Sequence, residues 1–444
     1  MEPNMNAPPQ PGLERVIGVR ALAANAINMT VGAGIFALPA VVAAQLGPSA
    51  FFAYVVCAIA MGLVLLCFAE SGSRVHESGG ACAYVEAAFG PFAGFLVATL
   101  LWFGYAVVSI AAVAVVFVGT VATAVPFLGQ PLPRAVFLIL LFAGLAALNI
   151  WGMRQGARAV EIVTLIKLVP LLLLVAIGVF AIEFENLVIV ELPSAGRFGA
   201  ATLMLFFAFG GAESAVNPSG EIRNPGRTIP RGLLLGIFAV VVLYIALQAV
   251  TQGVLGSELP EFREAPLAAT AERIMGGPGG FMLLAAAAIS TFGTLVGDLL
   301  ASPRALYAAA RDGALPKKLA AVHPRFHTPY LSIALYAIFA CVFAISGAFE
   351  QLAVLSSVAI LLVYLSTAMA TVQLRRKKVS ASGPVFRLVG GYTIPFLAAA
   401  IIVWLLAQAT SVEWMGVGLL LLAATALFFS RRSKMSRSKE QIDE

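Results

Sequence analysis

Charge is scarce in this chain. Asp, Glu, Lys and Arg make up only 11% of its 444 residues, against roughly 25% in a soluble domain, which excludes a water-facing surface of ordinary size. Histidine is rarer still. His76, His323 and His327 are the only three; they fall in predicted loops without ligand spacing, so no metal is expected. The four cysteines, Cys57, Cys67, Cys82 and Cys341, are scattered through apolar or juxtamembrane sequence, giving neither a disulfide framework nor a metal set. There is no Walker loop to bring in ATP. No nucleophile–base pair or metal cluster points to a catalytic residue, so neither an enzyme nor a cofactor is expected. The polar, proline-rich start, Met1 to Gly12, has no basic region leading into a cleavable apolar segment, and no signal peptide is expected.

What is present in quantity is oil. Hydrophobic residues form 60% of the chain, in repeated runs near the length that crosses a hydrocarbon core of about 30 Å. The spans are read as 16–44, 48–70, 92–124, 133–150, 157–182, 197–218, 231–256, 280–312, 330–346, 351–374, 388–408 and 412–430. With loops assigned alternately in and out, the inner side takes Arg15, Arg20, Arg74, Arg154, Arg158, Arg223, Arg227 and Arg231. It also takes the basic residues between Arg304 and Arg325, from Arg375 to Arg387, and after Ser430. Of the 28 lysines and arginines only Arg134, Arg197, Arg263 and Arg273 fall outside, while Lys167 lies within a span. The positive-inside rule then puts both termini in the cytoplasm of a cell inner (plasma) membrane protein with about twelve helices. The net charge of +6 is spread over short loops, so nucleic acid is not a partner. Arg375-Arg376-Lys377-Lys378 and the basic tail are read first as topology determinants and second as contacts for anionic lipid.

Two spans are interrupted. The first carries Val31-Gly32-Ala33-Gly34-Ile35-Phe36-Ala37-Leu38-Pro39, and the sixth carries Phe207-Ala208-Phe209-Gly210-Gly211-Ala212-Glu213 with Pro218 soon after. The offset of five spans is odd, so the two copies sit in opposite membrane orientations. Paired breaks of this kind point to a transporter built from inverted repeats, with its site at the breaks. An unwound turn at Gly32–Gly34 exposes N–H groups at the start of a half-helix, where the dipole favours a carboxylate. Close helix packing is the plainer use of such glycines. Gly210-Gly211 frees carbonyls for an ammonium group, and Phe207 or Phe209 is placed to close over a solute.

Three ionisable groups lie in apolar surroundings. A carboxylate within a span costs about 2.5–3.5 kcal/mol on insertion scales, so Glu213 is read as a proton site or cation contact. Lys167 falls near the bilayer middle between Ile162–Ile166 and Leu168–Pro170. It is read as a proton-exchanging group, a fixed cation, or a structural lysine held by a carboxylate or by carbonyls. Asp298 has three readings: a partner for Lys167, a contact for a cationic substrate, or a hydrated residue near the inner end of its span.

These motifs resemble the amino acid/polyamine/organocation (APC) superfamily of transporters. Gly32-Ala33-Gly34-Ile35-Phe36 is similar to the family's helix 1 motif, and Glu77-Ser78-Gly79-Gly80-Ala81-Cys82-Ala83-Tyr84 to its loop between helices 2 and 3. Gly211-Ala212-Glu213-Ser214, continuing to Gly220-Glu221-Ile222-Arg223-Asn224-Pro225, resembles helix 6 and its following loop. Ser302-Pro303-Arg304-Ala305-Leu306-Tyr307 and Arg311-Asp312-Gly313-Ala314-Leu315-Pro316 resemble the end of helix 8. The resemblance implies an all-α membrane protein of LeuT type, 5+5 inverted repeats plus two C-terminal helices. The substrate carboxylate would meet the N–H groups of Ala33 and Gly34, and its ammonium the carbonyls around Thr30, Phe207 and Gly210. Ser109 would face the substrate side chain, and Phe207 would stand at the gate. Glu213 resembles the glutamate implicated in proton-linked steps of the antiporters. Lys167 is similar to the lysine that replaces a sodium ion in proton-coupled members. Asp298 stands where the arginine/agmatine antiporter has a stacking tryptophan, a departure from an arginine-like binding mode.

The expected protein is one transmembrane domain over 1–430, with repeats at 16–182 and 197–374, extra helices at 388–430, and a basic cytoplasmic tail at 431–444. Its expected function is sodium-independent, proton-coupled amino acid uptake by alternating access. An antiporter of cationic amino acids or polyamines is the alternative, and a non-transporting sensor a remote one. Protons and the lipid bilayer are the expected partners; the sequence does not fix the oligomeric state.

Overall fold

Backbone polar groups have no water to bond in a bilayer, so a long apolar chain satisfies them within helices. The computed structural model describes residues 17–75, 79–152, 157–216, 222–311, 313, 315–379, 386–387 and 390–443. The motif residues His76, Glu77, Ser78, Pro218, Gly220, Glu221, Asp312 and Ala314, with Arg15 and Arg154, lie outside the described residues. So do the side chains of 157–162 and 431–443. Within what is described, the protein is all-helical, with one isolated backbone bridge between Ile17 and Ile222.

Every predicted span contains a helix. The first is split into α1 (Val19–Thr30) and α2 (Ala33–Leu46), followed by α3 (Ala50–Arg74) and a short α4 (Ala81–Phe89). The third span runs as α5 (Pro91–Thr99), a π-helical stretch Leu100–Val107, and α6 (Val108–Ala124). Then come α7 (Pro131–Ile150), α8 (Ala157–Gly178), α9 (Ala195–Leu205) and α10 (Pro225–Leu255). The rest is α11 (Pro266–Arg311), α12 (Tyr330–Ser346), α13 (Phe349–Arg376), α14 (Thr393–Leu406) and α15 (Ser411–Asp443).

Among the described residues, nine helical stretches are long and apolar enough to cross a membrane. They are fewer than the predicted spans for identifiable reasons. The stretch Ala33–Arg74 joins α2 to α3 through a tight turn at Gly47–Ser49, and α12 and α14 have only 17 and 14 residues. Several boundaries also differ. The second helix continues past residue 70 to Arg74, α11 begins before a bend at Gly276, and α15 runs on through the basic tail.

The outside of the bundle carries large apolar side chains. Leu132, Leu140, Phe238, Val412, Met415 and Leu422 are among the exposed apolar side chains. Apolar surface on this scale is unsuited to water and fits lipid. Inside, α1 and α3 pack on α10, α11 on α6 and α8, and α13 on α3, α4 and α6. Five tyrosines, Tyr54, Tyr84, Tyr244, Tyr336 and Tyr364, are fully buried. Buried phenols need polar partners, and those of Tyr244, Tyr336 and Tyr364 belong to the interior site.

Candidate functional site

The helix of the first span stops at Thr30. Val31 (φ −73°, ψ 93°) and Gly32 (φ −136°, ψ −151°) are extended, and α2 starts at Ala33 with no side chain capping it. Its first-turn N–H groups have no intrahelical acceptor, so Ala33 and Gly34 begin a half-helix suited to an anion. In the sixth span, α9 tightens into a 3-10 turn over Phe206–Phe209. The chain then turns at Gly210 (ψ 153°) and Gly211, whose φ of 112° favours glycine.

The two breaks touch. A Cβ on Gly34 would lie 2.7 Å from both Cα and Cβ of Ala208, and one on Gly211 would lie 2.5 Å from the carbonyl oxygen of Met29. Tyr244 of α10 clamps the pair, its hydroxyl donating to the carbonyls of Thr30 (2.9 Å) and Ala208 (3.1 Å). Phe207 and Phe209 face different neighbours. Phe207 meets the ring of Phe349 edge-on at 5.8 Å, whereas Phe209 is fully buried between Tyr54 (6.3 Å) and Tyr244 (5.5 Å).

Lys167 reaches from α8 to the first break. Its ammonium donates to the carbonyl oxygens of Asn28 (2.6 Å) and Val31 (2.8 Å), and Thr164 one turn earlier donates to the side chain of Asn28 at 2.8 Å. Two backbone carbonyls hold Lys167, and Asp298 is bound elsewhere. Ser302 donates to Asp298 Oδ1 at 2.9 Å, and the Tyr336 hydroxyl donates to Oδ2.

Glu213 is buried just beyond the second break. Its Oε2 accepts the N–H of Gly211 at 3.0 Å. Tyr364 of α13 faces the carboxylate and interacts with it. Tyr105 links the acidic groups. It lies in the π-helical stretch, beside Ser109 and within electrostatic reach of both Glu213 and Asp298. Its hydroxyl is 2.8 Å from where a Cβ on Gly210 would stand. π-Helical turns recur at functional sites because they re-aim side chains. Thus Thr30, Gly32, Ala33, Gly34, Phe207, Gly210, Gly211, Glu213 and Lys167 gather around the breaks, Ser109 joins them through Tyr105, and Asp298 is within electrostatic reach of the same tyrosine.

Sequence reasoning missed Tyr105, Tyr244, Tyr336 and Tyr364. The available signal was a phenol inside an apolar span, which is costly without a partner.

The model of the amino acid permease family matches residues 17–438. The chain belongs to that family. It is thus a multi-pass membrane protein of a transporter family, not an enzyme. It is 28% identical over 423 residues to the serine/threonine exchanger SteT of Bacillus subtilis (strain 168), covering 94% of this chain and 95% of that one. It is 27% identical over 462 residues to the methylthioribose transporter of the same organism, covering 96% and 95%. With the branched-chain amino acid permease BcaP of that organism, identity is 25% over 392 residues, covering 82% of each. The solutes named for these relatives differ, amino acids of two kinds in two of them and methylthioribose in the third, which directs attention to the part of the site that faces the variable portion of a solute.

Proposed function

We propose that this permease is a sodium-independent, proton-coupled amino acid carrier working by alternating access. The observation that carries the reading is the Lys167 ammonium on the carbonyls of Asn28 and Val31. Those oxygens, freed where α1 unwinds, are the kind that bind a sodium ion. A fixed cation already there removes the need for sodium, and loss of its proton would loosen the hold of α8 on the break.

In this reading the substrate carboxylate binds at Ala33 and Gly34, its ammonium at the carbonyls of Thr30, Phe207 and Gly210, and its side chain faces Ser109 and Asp298. Gly32 and Gly211 give the unwound turns, Phe207 is the gate, and Glu213 shares the proton with Lys167. The burial of Phe209 leaves it a packing role beside that gate. The architecture proposed is a single LeuT-type domain with repeats at 16–182 and 197–374 and extra helices at 388–430. It crosses an inner membrane about twelve times with both termini in the cytoplasm; the charge tally supports that orientation.

Uptake in proteoliposomes under imposed pH and sodium gradients tests the reading: acid outside accelerates uptake and sodium has no effect. Uptake that needs sodium and ignores pH defeats it. A second reading, amino acid exchange, is favoured by the similarity to the exchanger SteT along nearly the whole chain. Uptake that continues with no amino acid inside the vesicles counts against it.

A further inference from the structure

A cavity of about 770 Å³ opens at the end of the bundle where α13 begins, within the roughly 300–1,000 Å³ typical of small-molecule sites. Its walls come from α2, α6, the start of α7, the segment before α11, and the turn between α12 and α13. Val41 and Val115 give it apolar sides, and Phe349 lies in its lining. Phe349 is the residue whose ring meets Phe207, so the cavity stands directly before that gate.

Four charged side chains line it: Arg134, Arg263, Glu264 and Glu350. Arg263 and Glu350 pair with each other at 3.0 Å, with side chains 57% and 42% exposed. A solvated pair of this kind is self-neutralising and contributes little. The other two differ. Among the described residues neither Arg134 nor Glu264 has a side-chain hydrogen bond or ion pair. Arg134 is half-buried at the start of α7. Glu264 is exposed, with its carboxylate resting against α6: a Cβ on Gly119 would fall 1.9 Å from its Oε2. The missing side chain at Gly119 is the space that the carboxylate occupies.

We propose that this chamber is a second amino acid binding site, in which Arg134 takes the substrate carboxylate and Glu264 its ammonium before the solute passes Phe207. The proposal rests on the reading of Phe207 as the gate. One unpaired charge of each sign suits a zwitterion and does not favour a purely cationic or anionic solute. Apolar walls between them tolerate a small uncharged side chain.

The test uses the full chain in proteoliposomes and the twenty proteinogenic L-amino acids in radiolabelled form, the one taken up fastest serving as probe. Arg134→Gln and Glu264→Gln are each expected to raise KM for uptake about five- to tenfold while Vmax stays within about twofold. Arg134→Lys, which keeps the charge, recovers most of the loss and serves in place of the glutamine variant if that one fails to insert. KM unchanged in the Arg134 and Glu264 variants overturns the proposal and leaves the transport reading intact. A fall in Vmax at constant KM also overturns it, because that pattern marks a structural role. If the wild-type chain takes up none of the twenty, the transport reading falls first and the chamber proposal with it.

Discussion

The Nζ of Lys167 stands 2.6 Å from the carbonyl oxygen of Asn28, where α1 is about to unwind. The same ammonium also satisfies Val31, so one side chain from α8 answers two carbonyls that the break deprives of helical partners. Lys167→Ala orphans both. A buried polar group left unsatisfied costs about 1–3 kcal/mol, so the variant should melt at lower temperature. In proteoliposomes its uptake should lose its dependence on an imposed pH gradient. A variant that transports with the wild-type pH dependence would remove Lys167 from the coupling role.

Gly34 and Ala208 fix how closely the two broken spans approach. A Cβ on Gly34 would meet both Cα and Cβ of Ala208 at 2.7 Å, and a backbone atom cannot rotate away. Gly34→Ala should cost about 1–3 kcal/mol by overpacking and lower uptake by at least about tenfold, since a displacement near 1 Å at a binding site is that costly. Ala208→Gly in the same chain removes one of the two contacts and should restore part of the activity. Wild-type uptake by Gly34→Ala alone would show that the breaks tolerate separation.

The breaks at Gly32–Gly34 and Gly210–Gly211 were legible because a glycine interruption is a local signal that needs no knowledge of neighbours. The oddness of Lys167 and Glu213 was legible for a similar reason: a charge in an apolar run stands out in one dimension. Their partners were not. The carbonyls that hold Lys167 lie 136 and 139 positions away in sequence, and Tyr336 lies 38 positions from Asp298. Such pairings arise from helix packing, which periodicity alone does not specify. The same holds for Glu70. It sits at the end of a predicted span with Arg74 one turn on, and its main partner is Arg375, 305 positions away.

Tyr105 connects two of the buried carboxylates, Glu213 and Asp298. Its phenol lies within electrostatic reach of Glu213 and Asp298, and its hydroxyl reaches the turn at Gly210. Tyr105→Phe keeps the ring and its packing and removes only the hydroxyl. The melting temperature should therefore change little, whereas kcat/KM for uptake should fall about tenfold or more if the hydroxyl acts in the moving state. Unchanged kinetics with a lowered melting temperature would assign the hydroxyl to structure alone.

At the far end of α13 from the chamber, a fully buried Glu70 holds two arginines. Arg74 donates to Oε1 from Nε (3.0 Å) and Nη2 (2.8 Å), and Arg375 donates to the same oxygen from Nε at 2.6 Å. Arg74 also reaches the carbonyl of Val379 at 3.1 Å. The carboxylate thus ties the end of α3 to α13 and the segment after it. Glu70→Gln strands two poorly solvated guanidinium groups, and breaking a buried pair from one side costs about 3–5 kcal/mol. Arg375→Gln leaves Glu70 with Arg74 and should cost less. Because the two residues share one network, the double variant Glu70→Gln/Arg375→Gln should be less destabilised than the sum of the single ones, by about 0.5–3 kcal/mol. Urea denaturation of the three variants in detergent measures that coupling. Strict additivity would mean that the cluster does not act as a unit, and that α3 and α13 are held together by the 2.9 Å hydrogen bond between Ser71 and Thr371 and by apolar packing.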